Sequence, residues 1–204
     1  MHSAKRIGHS VRKDQEEEIG RHRVEDKEIG GYMGWEVEWM RWGAGWWTAP
    51  VLDQVIPWVT HLGSTVALIV FILMRWILTR EKKVFGSLLL LGAIQSAVVY
   101  GLKFLVQRPR PFVVDEALAR LSGGSIEVFD PSFPSAHTVN AFMMATLLTC
   151  WFPRYRVLFF LLAVFIGWTR IYLGMHYPTD VLAGGLIGYG ITRLYLHRTR
   201  LLDG

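Results

Sequence analysis

Apolar and polar positions along this chain fall into long blocks rather than a short alternation. Five blocks hold most of the large apolar residues, at about Leu62–Leu78, Val84–Val106, Thr138–Phe152, Val157–Leu173 and Thr179–Leu196. A helix that crosses a bilayer takes about 20 consecutive, mostly apolar residues, so the blocks predict five spans. The third is short, and is expected to continue back into the polar motif before it. Within the fifth, Gly184 and Gly188 have the G-x-x-x-G spacing that lets a neighbouring helix approach closely. The expected fold class is all-α: a polytopic membrane helix bundle with five or six transmembrane helices and an N-terminal interfacial helix.

The N-terminal part has a different pattern. Residues 1–31 mix charges of both signs with few large apolar side chains, which predicts a flexible polar tail. They lack the apolar run of a secretory leader, so none is expected there. Residues 32–50 carry Trp35, Trp39, Trp42 and Trp46 at steps of four, three and four, one face of a helix. Glu36, Glu38 and Arg41 lie between them, and an acid or arginine at mid-membrane costs about 3 kcal/mol. A helix at the membrane–water boundary fits this pattern better than a span, because indole prefers headgroup level. The plainer alternative is an amphipathic helix packed on the rest of the protein. A short re-entrant or amphipathic piece, Val51–His61, then opens the transmembrane domain, expected over 51–204.

Composition supports the membrane reading. The chain of 204 residues is 51% hydrophobic and 13% aromatic, with a mean hydropathy of +0.27. Its net charge of +5 comes largely from residues flanking the apolar blocks, including Arg75, Arg80, Lys82 and Lys83 after the first and Arg154 and Arg156 before the fourth. Those loops and the C-terminus, with Arg198 and Arg200, fall on one side, which should be cytoplasmic. No basic stripe runs along a soluble face, so nucleic acid is not an expected partner. The single cysteine, Cys150, cannot form an internal disulfide and is expected to be a small apolar side chain.

Three polar islands interrupt the apolar sequence, all on the side opposite the basic loops. Ionisable groups are costly in a membrane and usually functional there. The first island holds Lys103 and Arg110, with Pro109 and Pro111 restricting the backbone around the arginine. Two fixed cations suit a doubly charged phosphate, arginine binding two oxygens at once and lysine acting as a point charge. The alternative is a basic cluster touching lipid headgroups. In the second, Pro134-Ser135-Ala136-His137, Ser135 stands at an N-cap position before a helix. The exposed amides of Ala136 and His137 would make an anion site there, and His137 is placed to protonate a leaving oxygen. In the third, Arg170 ends a span, His176 follows a turn, and Asp180 lies four residues on. A carboxylate at that spacing can hold one imidazole nitrogen while the other attacks. An incidental polar pair would have the same spacing.

The pattern Lys-x6-Arg-Pro, Pro-Ser-x-His and Arg-x5-His-x3-Asp resembles the type-2 phosphatidic acid phosphatase superfamily, over about residues 51–197. The resemblance implies that Lys103, Arg110 and Arg170 bind phosphate along with Ser135 and Ala136. It implies further that His137 is the general acid, His176 the nucleophile and Asp180 its orienting carboxylate. A covalent phosphohistidine would be hydrolysed by water, with no cofactor and no metal. Two residues depart from the usual motifs: Ala136 replaces glycine and Thr169 replaces serine. The membrane members usually have six spans.

The expectation is therefore a lipid phosphatase acting on a phospholipid or polyprenyl phosphate at the outer face of a bacterial inner (plasma) membrane. Undecaprenyl pyrophosphate is the preferred substrate over phosphatidylglycerophosphate, phosphatidic acid and lipid A phosphate, although the site residues read only phosphate. A metal site of His137, His176 and Asp180 is the rival enzyme class, disfavoured because Lys103, Arg110 and Arg170 would repel a cation. A non-enzymatic lipid-binding or transport protein is the other alternative, and would not need His176 and Asp180 in register.

Overall fold

The structure is a computed structural model that describes residues 34–47, 49–118 and 130–199. The polar tail expected over 1–31 lies outside the described residues, as does most of the loop from Phe112 to Asp130. The chain divides into two compact units, Met1–Trp39 and Met40–Gly204. Helix α1 occupies 34–47, and Trp35, Trp39, Trp42 and Trp46 are all exposed.

Among its described residues the larger unit is built of helices joined by short turns and irregular segments. Helix α2 (Pro50–Val59) runs through the 3-10 turn Thr60–Gly63 into α3 (Thr65–Thr79). The hydroxyl of Ser64 caps α3 by accepting the Ala67 amide at 3.1 Å. Then come α4 (Lys82–Val106), the single turn α5 (Pro111–Val114), α6 (Ala136–Trp151), α7 (Arg156–Tyr172) and α8 (Pro178–Thr199). Proline at the first position of α5 and of α8 costs nothing, because the amide it lacks would have had no partner in the helix.

Helix α6 lies at the centre, packed against α7 on one side and α8 on the other. Leu68 and Ile72 of α3, Leu88 and Leu91 of α4, and Met143 and Leu147 of α6 share one buried cluster. Lipid is as apolar as leucine, so burying these side chains gains little by transfer, and close packing and polar ties must hold the helices. Gly184 and Gly188 supply the closest approach. A Cβ at Gly188 would lie 2.4 Å from the Val139 carbonyl oxygen, and one at Gly184 would lie 2.8 Å from that of Ser135. The polar tie is Gln95, whose amide donates to Thr192 Oγ1 at 2.8 Å and to the Gly188 carbonyl at 3.3 Å. The outer faces of α3, α4 and α7 present exposed valine, leucine and phenylalanine, as a lipid-facing surface should.

The five apolar blocks all became helices, and among the described residues fewer than five of them pass as spans on length and apolarity alone. By length and apolarity, two stretches among the described residues can cross a membrane, Lys82–Val114 and Pro153–Tyr172. The pair Pro50–Gly63 and Thr65–Thr79, bent by 53°, makes a third if it counts as one span. Helix α6 has only 16 residues, and α8 dilutes its apolar residues with glycines, Asp180 and Arg193. Both lie against neighbouring helices, where small and polar side chains meet each other instead of lipid. Interior helices therefore read as weaker spans than peripheral ones.

Candidate active site

All three polar islands meet at one end of the α6–α7–α8 core, and each is carried there by a local feature. Helix α4 buries Val84, Leu88, Leu91, Gln95, Val99 and Lys103, a stripe at steps of three and four that ends on the lysine. Gln107 then takes a left-handed conformation (φ 49°) and stops the helix. The Pro-flanked segment that follows returns Arg110 to the core. Lys103 and Arg110 are 4% and 7% exposed, deep enough that each needs a partner.

Both find it in Asp130. Lys103 Nζ lies 3.0 Å from one carboxylate oxygen, and the Arg110 guanidinium donates to the other. Arg110 Nε also donates to the Asp130 carbonyl at 2.8 Å, and Lys103 to the Pro131 carbonyl. Burial pushes the Asp130 carboxyl up, but Lys103 and Arg110 outweigh it and hold the group below its ordinary range.

The third island closes on the first. Arg110 donates through its remaining nitrogen to the Met175 carbonyl at 3.0 Å, and that nitrogen stands 3.5 Å from His176 Nε2. The imidazole is 2% exposed. Burial, and then the charges of Arg110 and Arg170, push it down to about 4 against the opposing pull of Asp180. His176 is therefore neutral near pH 7, the form with a lone pair to attack. Its Nδ1 faces Asp180 Oδ2 at 3.6 Å, just beyond hydrogen-bond length, and has no hydrogen-bond partner among the described residues.

Asp180 itself is fully buried and well provided for. It accepts from the Tyr177 amide at 2.8 Å, from the Ser132 hydroxyl, and from Arg108 at 2.6 Å. Beyond the orienting of His176 that the spacing predicts, Asp180 is thus tied to Arg108 and Ser132, neither of which the motif pattern specifies. Arg108 also donates to Thr179 Oγ1 at 2.7 Å and lies 3.8 Å above the Tyr177 ring. A second arginine beside Pro109 was the available sign; Ser132 and Asp130 gave none.

The second island is tied to the third by the Ser135 amide, which donates to the Asp180 carbonyl at 3.1 Å. Ser135 is the N-cap residue of α6, but its hydroxyl makes no capping bond and instead pairs with Thr138 Oγ1 at 2.9 Å. Ser135 thus stands at the expected N-cap position, fully buried at the helix start and followed by Ala136. His137, in the first turn, is half-buried within the field of Arg170 and His176. Arg170 is 8% exposed and gives one nitrogen to Thr60 at 2.9 Å, while its buried Nε has no hydrogen-bond partner among the described residues. Such an unsatisfied guanidinium N–H is costly unless an anion completes it. Among the described residues no group of three or more His, Cys, Asp or Glu is placed to hold a metal ion.

The PAP2 superfamily profile matches residues 84–202, which hold all three islands. The chain belongs to the PAP2 superfamily. Over 141 residues it is 31% identical to YbjG of Escherichia coli, provisionally named an undecaprenyl-diphosphatase, covering 65% of this chain and 69% of that one. A shorter match, 52% over 59 residues, is to the lipid A 1-phosphatase of Rhizobium etli, and takes in 28% of this chain and 25% of that one. The fold is similar to the crystal structure of a transmembrane PAP2 type phosphatidylglycerolphosphate phosphatase from Bacillus subtilis, at a TM-score of 0.66 and 23% identity, over 87% and 93% of the two chains. As a PAP2 protein, the chain is a membrane enzyme of the lipid phosphatase class.

Proposed function

We propose that this PAP2 enzyme hydrolyses a lipid phosphate or pyrophosphate through a phosphohistidine, with undecaprenyl pyrophosphate as its substrate. The observation that carries the reading is the buried His176, its Nε2 3.5 Å from the Arg110 guanidinium and its Nδ1 facing Asp180. Lys103, Arg110 and Arg170 draw the terminal phosphate in, aided by Ser135 and the Ala136 end of α6. Nε2 attacks phosphorus in line, and the bond to the leaving oxygen breaks as His137 gives that oxygen its proton. Water then displaces the histidine, returning a proton to His137 and releasing inorganic phosphate. Asp180 stabilises the imidazole as positive charge develops, its own position held by Arg108 and Ser132. No step uses a metal.

The basic loops at the other end of the helices support an outward-facing site in a bacterial inner membrane. The broad match to YbjG favours the polyprenyl pyrophosphate. The short but closer match to the lipid A 1-phosphatase supports lipid A as a second reading. The test is phosphate release from undecaprenyl pyrophosphate, phosphatidylglycerophosphate, phosphatidic acid and lipid A, in detergent with excess chelator, for wild type and His176→Ala. Chelator-resistant release that disappears in the variant, fastest on the polyprenyl lipid, is the expected result. Release that a chelator abolishes and a divalent metal restores would sink the histidine mechanism.

A further inference from the structure

Two of the three cations assigned to phosphate, Lys103 and Arg110, already share one carboxylate from within the chain. Asp130 spans Lys103 and Arg110 with one carboxylate oxygen on each, the way a phosphate would lie between them. Its side chain is 45% exposed, against 6% for Lys103 and 8% for Arg110. The carboxylate can therefore leave for solvent, while the cations cannot follow. We propose that Asp130 is a specificity-determining residue that keeps phosphodiesters out of the site and admits headgroups carrying two or more negative charges. The inference rests on the phosphatase reading and deepens it.

An anion enters this cage by replacing a carboxylate of charge −1. A phosphodiester also carries a single charge, so at Lys103 and Arg110 the exchange brings no net Coulomb gain and loses the short path that tethers Asp130 to them. A phosphate monoester carries about −1.5 to −2 near neutral pH, and a terminal pyrophosphate more, so each gains at least part of a further charge–charge attraction. Beneath a few ångströms of protein that attraction is stronger than in bulk water. The bilayer around a lipid phosphatase is made largely of phosphodiesters, so an open cage of three cations would be occupied by the wrong headgroup. Asp130 removes that competition without touching the reacting phosphorus.

The test uses full-length protein in detergent micelles, with inorganic phosphate and diethyl phosphate as competing anions. Wild type should be inhibited by phosphate and not by diethyl phosphate. In Asp130→Asn the diester should become an inhibitor, and the inhibition constant of phosphate should fall about tenfold, as expected when one charge-assisted competitor is removed. Asp130→Glu should retain the discrimination. If Asp130 instead holds Lys103 and Arg110 in place for substrate, Asp130→Asn will bind both anions more weakly, and the inference is overturned. A second measurement needs no variant. Carbodiimide should couple Lys103 to Asp130 in the wild-type protein, and tungstate, a tetrahedral dianion, should suppress that crosslink at concentrations that inhibit hydrolysis. A crosslink that persists under full inhibition also overturns the inference. Loss of the phosphohistidine reading shows separately, as turnover that survives His176→Ala.

Discussion

Replacing Arg108 by methionine removes a charge and keeps most of the stem. In the native protein this guanidinium lies 2.6 Å from Asp180 Oδ1, with its side chain 13% exposed and that of Asp180 fully buried. Deleting one partner of a buried ion pair costs about 3–5 kcal/mol, because the other charge is left uncompensated. Ser132 and the Tyr177 amide still donate to Asp180, so the lower end, about 3 kcal/mol, is the expected loss. The chemical effect follows from the sign of the missing charge. Without Arg108 the Asp180 carboxylate acts more strongly on His176 and favours the imidazolium, so the imidazole moves up from about 4 toward its ordinary 6.5. Between those two values the variant loses neutral nucleophile while the wild type keeps it. The assay is initial rate against pH in mixed micelles, with the ionisation of the substrate phosphate measured separately, alongside thermal unfolding in detergent. The acid limb of kcat/KM should shift to higher pH, and kcat at neutral pH should fall by about a hundredfold, the scale of an ångström's misplacement of a reacting group. An unmoved acid limb with a raised KM and unchanged kcat would place Arg108 on the substrate and refute the positioning argument.

Two further substitutions probe the frame of the site. Gly188→Ala puts a Cβ 2.4 Å from the Val139 carbonyl and should force α6 and α8 apart, lowering the unfolding temperature by an amount equivalent to about 1–3 kcal/mol. Gly190→Ala in the same helix meets no atom within 4 Å and should be neutral or slightly stabilising, so equal losses from both would refute the packing account. Thr60→Val takes away the hydroxyl that Arg170 reaches at 2.9 Å, adding a second unsatisfied donor to a guanidinium whose Nε already has none. That should cost about 1–3 kcal/mol and raise the inhibition constant of inorganic phosphate. An unchanged constant would remove Thr60 from the positioning of Arg170.

What was legible in the sequence was whatever depends on spacing within one segment. The steps that place Leu88, Leu91, Gln95, Val99 and Lys103 on one face of α4 are local, and so are the proline that starts α8 and the four residues from His176 to Asp180. The three islands could be grouped because the order of the apolar blocks puts all of them on the same expected side of the membrane, at the C-terminal ends of α4 and α7 and the N-terminal ends of α6 and α8. Partners brought in by other segments were not legible. Nothing near Asp130 in the chain points to Lys103, and nothing near Ser132 points to Asp180, 48 residues on. Length and apolarity mark fewer helices as spans for a related reason: hydropathy averages a helix around its axis, whereas α6 and α8 need apolar residues only where no neighbouring helix covers them.

Helix α6 is also short in absolute terms. At about 1.5 Å per residue its 16 residues reach about 24 Å, against about 30 Å of hydrocarbon in an ordinary bilayer. Surrounded by α3, α7 and α8, it cannot make up the difference by tilting freely in lipid. A phosphate arriving at the Ser135 end must therefore be pulled below the headgroup plane, or the bilayer must thin to meet it. Either way the membrane's thickness becomes a kinetic variable. In vesicles of graded acyl-chain length the enzyme should work fastest in the thinner bilayers, where the headgroup plane comes nearest the Ser135 end of α6.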